Sequence, residues 1–153
     1  MFKIILVLSM STVVMWGSII PKLGGESDHV DRNFVRDNEK KVVVDTKNKK
    51  IYNDASYGTK LTYDEAEAYC KNMDYLGKND WRVPSYKELK SLLELSRRPI
   101  AVKHAFQNVQ EGIYWSSTKD RYKSAWYVDF DLGRYYTSKY NYKYYVLCVR
   151  DEK

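Results

Sequence analysis

Two short signatures constrain this chain more than anything else in it: Thr62-Tyr63-Asp64-Glu65 and Ser85-Tyr86-Lys87-Glu88. In each, a hydroxyl residue precedes a glutamate by three positions, the capping box in which each side chain accepts the other residue's free backbone N–H. Behind the first, Tyr63, Ala66, Cys70 and Met73 recur at three- or four-residue intervals and define one apolar helix face. That helix is expected to end between Asp74 and Gly77, where glycine supplies a left-handed exit. Behind the second, Leu89, Leu92 and Leu93 form a buried stripe, and Pro99 sets the outer limit of the helix. From Tyr114 onward the period changes from helical to alternating. Trp126, Val128, Phe130 and Leu132 fall on one side, Tyr127, Asp129 and Asp131 on the other, with Gly133-Arg134 as the turn that follows. Two capped helices followed by strands place the fold in the α+β class.

The first residues are a different material. Met1-Phe2-Lys3 gives a positive start, and Ile4 to Ile20 carries no charge, which reads as a secretory signal peptide or an uncleaved N-terminal membrane anchor over residues 1–21. Residues 22–40 are polar and read as a tether. The folded domain is then expected over residues 41–151, opening with a hairpin of Val42-Val43-Val44 and Lys50-Ile51-Tyr52 around the turn-prone Asp45-Thr46-Lys47-Asn48. An exported chain with two cysteines, Cys70 and Cys148, favours a disulfide. In the chain-entropy model, closing a loop of about eighty residues stabilises a fold by about 4–5 kcal/mol. The net charge of +6 is spread along the chain with acidic residues interleaved. Solubilising charge and attraction to anionic partners both fit it, and export argues against nucleic acid as the partner.

Three further blocks stand out: Asp80-Trp81-Arg82-Val83-Pro84-Ser85 leading to Glu88, Tyr114-Trp115-Ser116-Ser117-Thr118, and Cys148-Val149-Arg150. Together with Ala66 to Cys70, Phe106, Ala125-Trp126, Phe130 and Gly133, their order resembles the C-terminal domain of the Legionella collagen-like protein, the DUF1566 family of domains of unknown function. The resemblance covers roughly residues 36–150. It implies a C-type lectin-like fold, with two helices packed on a small, mostly antiparallel twisted sheet. It also implies a disulfide from Cys70 on the first helix to Cys148 on the last strand, and a binding module outside the cytoplasm. The chain departs from the family pattern after Asp45, where Thr46-Lys47-Asn48 replaces a Thr-Gly-Leu-Met-Trp type of sequence, and at Leu147, where many members carry arginine before the final cysteine.

Several of these residues have physical roles that need no family. Trp81 and Trp115 are large apolar plates whose indole N–H groups need partners, which suits a junction between helices and sheet. Arg82 is placed to stack on an aromatic ring or to join Asp80 and Glu88 in a charged cluster. Ser116, Ser117 and Thr118 are placed to brace loop backbone.

For chemistry, the calcium-binding motifs of sugar-binding C-type lectins are missing. Asp129 and Asp131 share a strand face and offer two oxygens, although alternating acids are also common on solvated faces. His104 stands alone in the domain and no Gly-x-Ser-x-Gly elbow occurs, so neither a zinc cluster nor a nucleophile triad is indicated. Formylglycine-generating enzymes occupy a related branch of the fold, and their chemistry needs free thiols that a Cys70–Cys148 bridge would remove. No metal or other cofactor is expected, with calcium held by Asp129 and Asp131 as the alternative. The remaining signal is an aromatic and cationic hairpin in which Arg134, Tyr135, Tyr136, Lys139, Tyr140, Tyr142, Lys143 and Tyr144 are the candidate ligand-binding residues. Tyrosine stacks on sugar rings, and lysine and arginine attract sulfate or carboxylate. Tyrosine is also a good strand former, which is the competing explanation. The expectation is a non-catalytic module that binds a glycan or a surface protein at the bacterial envelope. An enzyme of the related branch and an envelope structural protein are the alternatives.

Overall fold

The computed structural model describes residues 31–56 and 58–153. The signal or anchor read from residues 1–21, and residues 22–30 of the tether, lie outside the described residues. Among the described residues no helix is long and apolar enough to cross a membrane.

The chain is a mixed α+β domain with two sheets. Strand β1 (Phe34–Asp37) pairs antiparallel with β2 (Val42–Asp45), which pairs with β3 (Lys50–Asn53), and β3 with the last strand, β9 (Val149–Asp151). The second sheet runs in the order β4 (Lys60–Leu61), β8 (Tyr144–Tyr145), β5 (Ile113–Asp120), β6 (Ser124–Asp129), β7 (Arg134–Lys139). Its β5–β8 pair is parallel and the others antiparallel. Helix α1 (Tyr63–Lys71) and helix α2 (Tyr86–Ser91) lie between these strands in sequence.

Two expectations change here. One sheet was expected and two are present. The tether drawn over residues 22–40 runs too far, because Phe34–Asp37 is an edge strand whose Phe34 packs on Phe106 at 6.3 Å between ring centroids. Composition alone reads a short polar strand as tether, because only its partner strand supplies the hydrogen bonds that order it.

Both helices start where the capping boxes place them. Glu65 Oε2 accepts the Thr62 N–H at 2.9 Å, and Glu88 Oε2 accepts the Ser85 N–H at 2.7 Å while the Glu88 N–H donates to Ser85 Oγ at 3.3 Å. Helix α1 ends sooner than expected, and α2 ends well before the limit set by Pro99. Asn72 caps α1, and Gly77, with φ of +65°, instead closes a tight turn in which Tyr75 and Lys78 exchange backbone hydrogen bonds. Leu92 caps α2, after which Leu93 forms a β-bridge with Val102. A longer α2 would forfeit that bridge.

The buried side chains form two clusters on either side of the five-stranded sheet. One joins Leu89 and Leu92 of α2 to Val43, Tyr52, Tyr114, Val128, Phe130 and Val149. The other joins Tyr63, Ala66 and Cys70 of α1 to Val42, Trp81, Trp115, Ala125 and Cys148. The Cys70–Cys148 disulfide lies in the second cluster and closes a sequence separation of 78 residues. It ties α1 to the segment entering β9.

Candidate functional site

The Asp80 block is a structural clasp. Arg82 exchanges both backbone hydrogen bonds with Val149 of β9, at 2.9 and 2.8 Å, so it joins α2 to the end of the chain. Its guanidinium grips Glu88 with two hydrogen bonds of 2.8 and 2.7 Å. Burial alone would raise the Glu88 pKa, but Arg82 and the Ser85 N–H outweigh it and hold the carboxyl at about 2. Asp80 belongs to a different pair. It accepts from Arg150 Nε at 2.7 Å, and Arg150, assisted by Lys153, holds the Asp80 carboxyl far below the usual carboxylate range. Arg150, not Arg82, lies over the Trp81 ring at 5.9 Å. The expected Asp80–Arg82–Glu88 cluster is therefore two separate pairs, because the return of β9 brings in a second arginine that the local sequence does not contain.

The other motif residues brace the same frame. Trp81 Nε1 donates to the Lys78 carbonyl at 3.0 Å and Trp115 Nε1 to the Leu61 carbonyl at 2.9 Å. The buried Ser116 hydroxyl donates to the Trp126 carbonyl at 2.9 Å, and the Ser117 N–H donates to the carbonyl of buried Pro84 at 2.8 Å. Thr118 Oγ1 accepts the Tyr86 N–H at 2.9 Å, satisfying a free donor in the first turn of α2. Trp126 packs on Tyr86 with 4.9 Å between ring centroids. Gly133 has φ of +66° in the turn from β6 to β7, and a Cβ there would meet Leu95 at 2.5 Å. Sequence reasoning missed Asp54, which is buried, pairs with Arg36 and accepts the Gln107 and Asn108 N–H groups. A lone aspartate after a strand carries no local sign of that role.

Asp129 does not offer a free face to a cation. Its Oδ1 accepts the backbone N–H groups of Asp131 at 2.9 Å and Leu132 at 3.3 Å, so it braces the turn into Gly133. Among the described residues no group of three potential metal ligands occurs.

The expected tyrosine-rich hairpin is not a hairpin. β7 pairs with β6 at the edge of the sheet, whereas β8 lies between β4 and β5, so the candidate residues are divided. At one end of β7, Tyr135 packs on Tyr86 and takes Lys90 over its ring at 4.3 Å, with Arg134 exposed beside it. On the opposite face of the sheet, exposed Tyr136 lies across from Tyr127. Tyr144 packs on Trp115, Tyr127 and Tyr142, and shares a 3.0 Å hydrogen bond with Ser138. Lys143 is exposed near the start of β8.

At the other end of β7 a cleft of about 380 Å³ gathers Lys139 and Tyr140 with Tyr122, Lys123 and Asn141. Its frame is built by backbone. The Tyr140 N–H donates to the Lys123 carbonyl at 3.1 Å, and the Tyr63 N–H to the Tyr140 carbonyl at 3.0 Å. Tyr140 stacks on the buried Tyr63 at 4.2 Å, which fixes its ring against the start of α1. Tyr122 and Lys123 both have positive φ, 60° and 54°, at the tip of the β5–β6 hairpin, and Tyr122 is 91% exposed. Neither Lys123 nor Lys139 forms an ion pair among the described residues. Two cations without counterions beside two phenol rings can attract an anion and stack on a ring-shaped ligand. Tyr122 and Lys123 were legible only as the aromatic and cationic content of Arg121-Tyr122-Lys123, and nothing local places them against Lys139.

Comparison with known families adds one match: the model of the Lcl C-terminal domain covers residues 33–150. None of the curated proteins compared with the chain matches it.

Proposed function

This chain belongs to the Lcl C-terminal domain family, and we propose that it is a non-catalytic, exported binding module with a C-type lectin-like fold whose ligand is an anionic glycan. The observation that carries this reading is the cleft at the hairpin tip, where Lys123 and Lys139 stand without acidic partners among the described residues beside Tyr122 and Tyr140. The lectin-like assignment draws support from the two capped helices, the mostly antiparallel sheets and the bridge from the first helix to the segment before the last strand. The non-catalytic assignment draws support from the cysteines. Both are committed to the disulfide, which leaves no thiol for the chemistry of the related enzyme branch. Export is inferred from the uncharged run Ile4 to Ile20 and is consistent with a disulfide.

The test is a glycan array that includes sulfated and uronic acid polysaccharides, followed by titration of the best binder at two salt concentrations. Binding should weaken as salt rises. The Lys123→Ala/Lys139→Ala double variant should lose at least about tenfold in affinity, since each charge-assisted hydrogen bond contributes about 1.5–3 kcal/mol. Tyr122→Ala should weaken binding with no change in melting temperature, because its side chain is exposed. Salt-independent binding, or an unaltered double variant, would remove the cleft from consideration.

A further inference from the structure

The five-stranded sheet ends in two unlike edges. β4 is only two residues long, too short to recruit another chain, whereas β7 runs for six residues in unbroken register with β6. Neither a bulge nor a proline interrupts it.

The phase of the ladder identifies which backbone groups of β7 are free. The Tyr140 N–H donates to the Lys123 carbonyl at 3.1 Å, one step beyond the Ser124–Lys139 pair. Hydrogen-bonded pairs alternate along an antiparallel ladder. Ser138, Tyr136 and Arg134 therefore turn their backbone groups toward β6, and Lys139, Thr137 and Tyr135 turn theirs outward. The Trp126 carbonyl fits the same phase, since it accepts from Ser116 on β5, away from β7. The Lys139 carbonyl accepts the Tyr142 N–H at 3.2 Å, and the other outward groups have no protein partner among the described residues. They recur every second residue, about 7 Å apart, which is the pattern that another extended backbone matches.

Charge narrows the choice of partner. Arg134 and Lys139 stand exposed at the two ends of the edge, and Lys90 reaches over the Tyr135 ring from α2 at 4.3 Å. None of the three forms an ion pair among the described residues. The carboxylate paired in register with Arg134 is that of Asp129, which is buried and committed to the Asp131 and Leu132 N–H groups. Between the charges, Tyr135, Tyr136 and Thr137 are strong strand formers. A second copy of β7 would bring the same cations against these, which disfavours self-pairing, whereas a strand carrying acidic residues is attracted.

We propose that the free edge of β7 is a docking site for an extended acidic peptide segment of another protein, which joins the sheet as a sixth strand. This goes beyond the glycan reading and stands even if the hairpin-tip cleft binds nothing.

The test is an amide-resolved NMR titration of the full chain with four blocked octapeptides. Each carries glutamate at both ends around alternating Thr-Val, Thr-Ile, Thr-Leu or Ser-Tyr residues. At least one should cause saturable shifts at Tyr135, Thr137 and Lys139 and slow their hydrogen exchange, and its counterpart with lysine ends should bind at least about tenfold more weakly. N-methylation of one alternate set of its amides should abolish binding and methylation of the other set should not, because only every second amide faces the edge. Thr137→Pro removes an outward N–H, spares the bonds to β6 and is tolerated at an edge. It should weaken the peptide at least about tenfold while leaving binding of anionic glycan at the hairpin tip unchanged. Arg134→Glu, an exposed substitution, should weaken the same peptide and strengthen its lysine-ended counterpart. Absence of shifts with all four peptides overturns the proposal. So does equal binding of the two N-methylated forms, since charge alone would then hold the peptide. Concentration-dependent protection of Tyr135 and Thr137 without peptide also overturns it, because the edge then belongs to a second copy of this chain.

Discussion

Replacing Cys70 and Cys148 together by alanine removes the bridge between α1 and the segment entering β9. The loop it closes spans 78 residues, for which the chain-entropy relation gives about 4.5 kcal/mol at 25 °C. Both cysteines are almost fully buried in the cluster around Trp81 and Trp115, so the lost sulfur atoms add a packing cost of about 1 kcal/mol each or less. The predicted loss is therefore about 4–6 kcal/mol, comparable with the whole stability of many small domains. For a domain of this length that corresponds to a fall of about 10–20 °C in melting temperature. The assay is equilibrium urea unfolding of three forms: oxidised parent, parent reduced under denaturant, and the double-alanine variant. The m-value should rise in the last two, because an unfolded chain without the bridge exposes more surface. The reduced parent isolates the loop term, and its difference from the variant isolates the packing term. A reduced parent less than about 1 kcal/mol weaker than the oxidised form would refute the reasoning, since the bridge would then constrain little of the unfolded chain.

Two other predictions follow from named contacts. Glu88 has its pKa lowered from 4.5 to about 2 in the folded protein, so its contribution is fully present above about pH 4.5 and is lost as pH falls toward 2. Because Arg82 is partly exposed, that contribution is about 1–2 kcal/mol after screening, and Glu88→Gln should flatten the acid limb of the stability profile measured by urea unfolding between those pH values. Gly133→Ala meets a left-handed backbone, while the tip of the exposed Leu95 side chain at 2.5 Å can swing aside, and should cost about 1 kcal/mol. Gly77→Ala, with nearly the same φ and nothing within 4 Å, should cost about the same, and similar thermal melts for the pair check that Leu95 gives way.

The features that can be read from the chain are those whose physics is local or whose partners are unambiguous. The capping boxes at Thr62 and Ser85 involve residues three positions apart, and both appear as expected. Two cysteines in one chain have one way to pair within it, and they do. The turn at Gly133 was legible because a left-handed backbone is nearly free for glycine alone. Helix lengths were less legible. α2 stops at Ser91 because Leu93 finds Val102, a contact that no helical period announces.

The candidate sites were hardest to read, for the same reason. A run rich in tyrosine between Tyr135 and Tyr145 has strong strand preference, but preference does not choose a partner strand. Hydrogen-bond pairing across the sheet sends Tyr135 and Tyr136 to one edge and Tyr144 to its interior, and it sets Lys139 and Tyr140 beside Tyr122 and Lys123 from another hairpin. Likewise, Asp80 finds Arg150 and not its neighbour Arg82 because β9 returns alongside. The sequence by itself determined the α+β class, the helix starts, the covalent bridge and the family. Only the tertiary structure decided which cations stand without counterions among the described residues and which strand each tyrosine joins, because charge pairing and strand pairing depend on residues brought together from distant parts of the chain.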